Sequence, residues 1–218
     1  MVLARPSLDS TQRMELISDI GNEAGRLHRL IEDLIVLARA ERGALAMSVD
    51  PVRLDRAVER LVASFRGQAP GVEMRVSERG RRAAVRGDET YVEQLLRNLL
   101  SNAVKYGDGE AGIDIEIEHR VDDTAVRVLD RGPEIDPQEV GRLFEIDYRA
   151  ALTEGLAKGS GIGLFVARWL AESMGGQIWA APRAGGGSEF GFALPVVNAD
   201  EHDGRSFKLD GESRLLGA

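Results

Sequence analysis

Ile113-Asp114-Ile115-Glu116-Ile117-Glu118 decides the fold. Isoleucine and carboxylate alternate, which is the pattern of a strand with one dry face and one wet face. Val126 and Val128 repeat the alternation just downstream, so the two strands read as a hairpin. Val72, Met74 and Val76 mark a strand upstream, and Ile178 to Ala181 and Glu189 to Leu194 mark two more near the end. Arg79 to Arg82 reads as a charged turn. Helices are expected at Pro51 to Phe65, Asp88 to Lys105, Asp136 to Phe144 and Ile162 to Met174. The second is the strongest, with Val92, Leu95, Leu96, Leu99, Leu100 and Ala103 on one face. Amphipathic strands of this kind predict an α/β (α+β) two-layer sandwich, with helices covering one face of the sheet, and not a doubly wound parallel sheet.

Ahead of this block lies a different texture. Residues 9 to 42 read as one long helix. Ile20, Leu27 and Leu34 recur every seven residues, Leu16, Leu30 and Leu37 form a second row, and Ile17, Ala24, Ile31 and Ala38 lie beside it. Asp9 and Gln12 have the spacing of a capping box, and Gly43 supplies a stop. Such a stripe needs a cover. Either the globular domain or a second copy of the chain can provide it, and the second copy is the expectation. The chain therefore divides into a bundle helix over 1–45, a domain over 50–197 and a polar, charged tail over 198–218, expected to be mobile.

Composition narrows the function. The chain has 218 residues, of which 43% are apolar and 29% charged, a globular balance. Basic residues number 28 and acidic ones 36, a net of −8 that argues against nucleic acid as partner. There is no cysteine, so thiolate chemistry is excluded, and the three histidines, His28, His119 and His202, are far apart in sequence, so a His-rich metal site is not expected. No apolar run nears the roughly 20 residues of a bilayer span, and no leader precedes the first helix. A cytoplasmic chain without membrane contact of its own is expected.

Four constellations carry chemistry. Asn98-Leu99-Leu100-Ser101-Asn102-Ala103-Val104-Lys105-Tyr106 puts two carboxamides and a lysine on neighbouring turns of one helix face. They can ligate a hard cation and touch phosphate oxygens, or make ordinary polar solvent contacts. Asp130-Arg131-Gly132-Pro133-Glu134-Ile135 follows a strand. Asp130 is either a turn residue or, at a pocket floor, an acceptor for an exocyclic amine, which favours adenine over guanine. Phe144-Glu145-Ile146-Asp147-Tyr148-Arg149 says little alone. Lys158-Gly159-Ser160-Gly161-Ile162-Gly163-Leu164 opens a helix, where glycines let backbone N–H groups approach an anion. It has neither the Walker ending nor the position of a dinucleotide fingerprint.

In this order the four segments resemble the boxes of the ATP-binding catalytic domain of bacterial sensor histidine kinases, of the GHKL or Bergerat-fold superfamily. Asn98 to Tyr106 is similar to the N box, Asp130 to Ile135 to the first glycine box, Phe144 to Arg149 to the F box, and Lys158 to Leu164 to the second glycine box. Gly186 to Pro195 resembles the closing strand motif. The resemblance covers about residues 50 to 197, and the helix over 9–42 resembles the second helix of the family's dimerisation bundle. It implies a mixed, mostly antiparallel sheet and ATP with Mg2+ as ligands. Asn102 would ligate magnesium, with Asn98 lining the same site. Lys105 would reach phosphate oxygens and Tyr106 flank the nucleotide. Asp130 would take the adenine amine, with Gly132 and Ile135 shaping that pocket and Ser188 supporting it. Tyr148, Arg149 and Lys158 would belong to a lid. Gly159, Ser160, Gly161, Ile162, Gly163 and Leu164 would form its hinge and phosphate contact.

Hydrolytic members of the superfamily place a glutamate one turn before the metal-binding asparagine. Here that place holds Asn98, an amide that takes no proton at neutral pH, which points to phosphoryl transfer and away from hydrolysis. Two positions depart from the family pattern: Glu134 replaces a glycine and Asp147 an aromatic residue. No segment resembles the one around the family's phosphorylated histidine, and His28 reads as a bundle-surface residue. The resemblance implies a protein-histidine kinase core acting on a histidine outside this chain, a homodimer through the N-terminal helix, and a response regulator as partner. The alternative is a nucleotide-gated, non-catalytic interaction module.

Overall fold

The computed structural model describes residues 9–41, 47–48, 50–69, 71–146, 148 and 161–197. The expected tail and the stop at Gly43 lie outside the described residues. Helix α1 spans Ser10–Glu41. Its start is a reciprocal capping box: the Asp9 carboxylate accepts from the Gln12 N–H at 2.7 Å, and the Gln12 amide oxygen accepts from the Asp9 N–H at 3.2 Å.

Strand β1 (Asp50–Val52) and helix α2 (Leu54–Gln68) follow, then β2 (Met74–Arg79) and β3 (Val85–Gly87). Helix α3 (Glu89–Tyr106) leads to β4 (Ile113–His119) and β5 (Asp123–Leu129). Helix α4 (Gly163–Ser173), β6 (Gln177–Pro182) and β7 (Ser188–Pro195) complete the order. The main sheet runs β2-β4-β5-β7-β6. Only β2 and β4 are parallel among its pairs, and the other three pairs are antiparallel. The expected two-layer α+β sandwich with a mixed, mostly antiparallel sheet is the one observed.

The alternation in β4 does what it predicts. Ile113, Ile115 and Ile117 are buried, and each contributes about 1.5–3 kcal/mol by leaving water. They join Val126, Val128 and Phe192 in one core with Leu95, Leu96 and Leu99 of α3 and Val166 and Leu170 of α4. The opposite face is paved with cross-strand ion pairs. Arg75 meets Asp114 at 2.7 Å, Arg127 meets Glu116 at 2.7 Å, and Arg79 meets Glu118 at 3.2 Å. His119 ends the buried row as a satisfied core residue, between the Thr124 hydroxyl at 3.1 Å and Glu78 at 2.9 Å.

Two expectations are corrected. Residues 50–52 form a strand against β3, and the helix begins at Leu54 and not at Pro51. Asp50 precedes proline and is pushed to extended backbone. Residues 136–144 are a series of turns and not a helix. Glu139 and Arg142 N–H groups donate three residues back, and the Asp136 carboxylate takes the Gln138 N–H at 2.8 Å, which competes with a helical start.

Helix α1 lies against the domain along one side only. Val36 is buried and Leu30 and Leu37 are half-buried, while Ile17, Ile20, Leu27, Ile31 and Leu34 stay exposed, Ile17 at 67%. The domain thus covers a second, shorter strip of the helix and leaves the seven-residue row open.

Candidate functional site

Beside α3, the helices and the loops at the C-terminal end of β5 enclose a cavity of about 780 Å³. One end is a backbone construction. Asp130 directly follows β5 and is only 3% exposed. Its N–H donates to the Ser188 carbonyl at 2.9 Å, and its Oδ1 accepts the Gly132 N–H at 2.8 Å. Burial pushes this carboxyl above its ordinary value, opposed by backbone N–H groups of Gly132 and Ser188 and by Arg183. Gly132 is demanded by contact: a Cβ there would lie 2.1 Å from the Tyr106 carbonyl oxygen. The loop after β5 is thereby pressed onto the end of α3, which joins the first and second constellations in one wall. The Ser188 hydroxyl donates to the Pro133 carbonyl at 2.8 Å and fixes the same loop from β7.

The other end is lined by side chains of helices. Asn98, Asn102 and Lys105 follow one another along α3 and all line the cavity. This face is free for them because Leu95, Leu96, Leu99 and Leu100 turn to the core. The helix is started by Asp88, whose carboxylate accepts from the Thr90 and Tyr91 N–H groups at 2.9 and 3.3 Å. The Asn98 amide donates to the Gly163 carbonyl at 2.9 Å. Lys105 Nζ donates to the Tyr106 hydroxyl at 2.7 Å and sits 4.4 Å from that ring's centre. Gly163 is the first residue of α4, and no side chain caps that helix. Its N-terminus adds positive potential at this end.

Of the expected site residues, Asn98, Asn102, Lys105, Tyr106, Asp130, Ile135, Tyr148, Gly161, Gly163, Leu164 and Ser188 line the cavity. Gly132 supports its wall, and Ile162 is the residue preceding α4. Arg149, Lys158, Gly159 and Ser160, and Asp147 with them, lie outside the described residues. Glu134 is exposed at the rim. Tyr148 is anchored through its hydroxyl, which donates to Glu139 at 2.7 Å, with Arg142 4.4 Å from its ring centre.

Sequence reasoning missed the contribution of α1. Arg26, Arg29, Leu30 and Asp33 line the same cavity. Asp33 is 5% exposed, and its Oδ1 accepts from Gln94 at 2.9 Å and Asn98 at 3.4 Å. Burial pushes its carboxyl up, against those two hydrogen bonds. No local signal marks Asp33, since its partners stand 61 and 65 positions later.

The residues suit magnesium carried in with a polyphosphate. Among the described residues no group of three His, Cys, Asp or Glu side chains gathers to hold an ion. Asn102 supplies a single neutral oxygen, which fits an ion that keeps phosphate oxygens and waters for its other positions.

A buried carboxylate, a helix bearing paired carboxamides and a lysine, and a glycine-opened helix meet in one cavity of a two-layer α+β domain. The chain belongs to the histidine kinase-, DNA gyrase B- and HSP90-like ATPase family, whose model matches residues 87–198. Its relatives are sensor histidine kinases, and its catalytic domain is of their ATP-binding GHKL type. The chain is 30% identical over 183 residues to the sensor-like histidine kinase SenX3 of Mycobacterium tuberculosis, covering 83% of this chain and 45% of that protein. It is 33% identical over 180 residues to the sensor protein CutS of Streptomyces coelicolor, covering 80% and 42%. The structure of full-length ShkA in complex with AMPPNP superposes with a TM-score of 0.68 at 26% identity, over 88% of this chain and 40% of that one. The chain thus spans less than half the length of these curated relatives. Among the described residues no helix is long and apolar enough to cross a membrane.

Proposed function

We propose that this chain is the catalytic part of a two-component sensor histidine kinase. It binds Mg-ATP in the cavity and transfers the γ-phosphoryl group to a histidine outside this chain. The observation that carries the reading is the junction at Gly132, where the base acceptor Asp130 is pressed onto the helix bearing Asn98, Asn102 and Lys105. Magnesium, when bound, supplies charge neutralisation at the β- and γ-phosphates. Asp130 accepts from the adenine amine, Tyr106 flanks the nucleotide, and Asn102 holds the ion. Lys105 turns from the Tyr106 hydroxyl to the phosphates. Asn98 itself offers no base for water where hydrolytic members carry a glutamate, so the reading favours transfer to an acceptor. Catalysis is then mostly positioning and electrostatics.

The open apolar row of α1 serves the same reading. It is the surface of a homodimer built on a helical bundle, with 1–45 as its second helix, and a response regulator takes the phosphoryl group onward. ATP as donor places the domain in the cytoplasm. His28 does not serve as acceptor in this reading; it is exposed and 3.3 Å from Glu32 on α1.

Titration calorimetry of the chain with ADP and an ATP analogue, with and without magnesium, tests the proposal. Micromolar, magnesium-dependent binding is expected. No binding at millimolar nucleotide favours the second reading, a nucleotide-gated or nucleotide-free interaction module. Glu134 at the rim and the tie between Asp33 and Asn98 favour that reading.

A further inference from the structure

Arg183 stands on the far side of the sheet from the nucleotide cavity, yet it holds the backbone from which Asp130 projects. Its side chain is 10% exposed. Nη1 donates to two carbonyls, those of Leu129 and Asp130, each at 3.2 Å. Nη2 donates to the Asp114 carboxylate, which Arg75 also grips at 2.7 Å. The planar fork of a guanidinium reaches all three acceptors at once, which an ammonium cannot do in the same geometry.

The position of this fork matters because the β5 strand ends at Leu129. The Asp130 carbonyl is therefore beyond the strand, and Arg183 supplies it with a donor. On its other side it meets Gly187, where a Cβ would come within 2.2 Å of the Asp130 oxygen. Arg183 is itself fixed by the hairpin: its N–H donates to the Gly187 carbonyl at 3.0 Å and its carbonyl accepts from Gly186 at 3.1 Å. Together with the Ser188 and Gly132 contacts, every polar backbone group of Asp130 is tied, and the direction of its carboxylate is set.

We propose that Arg183 is a positioning residue for base recognition: it fixes the Asp130 carboxylate for the exocyclic amine of adenine without touching the nucleotide. This rests on the nucleotide-binding reading above. Without Arg183 two carbonyls lose their donor and the residue after β5 gains freedom, so the amine contact weakens while phosphate and magnesium contacts remain. The effect is selective for the base.

The test compares ADP with inosine diphosphate, which carries a carbonyl where adenine carries its amine. Magnesium is present throughout, and the proteins are the whole chain and its Arg183→Met and Arg183→Lys variants. For Arg183→Met the ADP dissociation constant rises about tenfold, the worth of one charge-assisted contact, while that for inosine diphosphate stays within about twofold. Arg183→Lys falls between Met and the parent. Equal weakening of both nucleotides, or an unchanged ratio, overturns the proposal, because a merely structural role moves both together. If circular dichroism finds Arg183→Met unfolded, Asp114→Asn, which loosens the fork, carries the test. Its ADP preference is expected to shrink by about two- to fivefold, and an unchanged preference overturns the proposal. If the parent chain binds neither nucleotide, the nucleotide reading itself has failed and this inference falls with it.

Discussion

The two ends of the cavity are built on different plans. At the base end the ligand-facing carboxylate is held by backbone. Gly132, Ser188 and Gly187 press three segments together around Asp130, and a single guanidinium fastens them from behind. At the phosphate end the polar groups are side chains projecting from α3, Lys105 and Asn98 each held by one or two hydrogen bonds. Lys105 rests on Tyr106, and Asn98 bridges Gly163 and Asp33. A ligand finds the first end ready and must rearrange the second. On the proposed function, preorganisation of this kind makes the base a reporter of identity and leaves the rearrangement to the phosphates.

The largest expected effect attacks the junction of the two ends. Gly132→Ala places a methyl group 2.1 Å from the Tyr106 carbonyl, so backbone must move. We expect nucleotide affinity to fall by at least about a hundredfold and urea stability by about 1–3 kcal/mol. Wild-type affinity in this variant would show that the close approach is dispensable. Next, Asn102→Ala strikes the phosphate end alone. Magnesium should then no longer improve ADP affinity, while the magnesium-free affinity holds. Calorimetry with and without the ion reads both numbers, and retained magnesium enhancement would remove Asn102 from its role. Asp130→Asn strikes the base end alone. The ADP preference over GDP should shrink by about tenfold or more with magnesium dependence intact.

The smallest effect concerns Asp33. Burial raises its folded-state pKa above 3.8, so the folded protein holds this proton more tightly than the unfolded chain. Its contribution to stability therefore falls as pH rises from 3.8 through the raised value and is flat beyond. Asp33→Asn removes that slope, keeps hydrogen-bonding groups toward Gln94 and Asn98, and should be as stable as the parent at neutral pH or more so. Melting curves of both proteins across acid and neutral pH make the comparison. A variant clearly less stable at pH 7 would mean the carboxylate itself is needed to hold α1.

The legible and illegible parts of this fold divide by range of interaction. The alternation of Ile113 to Glu118 and the apolar face of α3 are local, and they gave the layers, the strand pattern and the core. The capping box at Asp9 and Gln12 is local as well. Four box segments were readable because each is contiguous, and the junction at Gly132 brings the first two together. β1 and β3 are three residues each and exist through pairing with one another, so no periodicity announces them. The turns over 136–144 carry helix-forming residues, but Asp136 diverts a donor. Asp33 reads as one more polar residue on a bundle helix until α3 folds beside it. Arg183 reads as a charged hairpin residue until β5 ends next to it.

The strand order also bears on how the chain folds. β4 with β5 and β6 with β7 are joined by short connections and can zip locally. The central pairing of β5 with β7 instead closes a loop holding the glycine boxes, the turns and α4. That closure has the larger entropic cost and belongs to a later stage of folding. It is also the step that brings Ser188 and Gly187 onto Asp130. Assembly of the wall around Asp130 and completion of the sheet are therefore one event, and any ligand held at that wall would stabilise the closed seam.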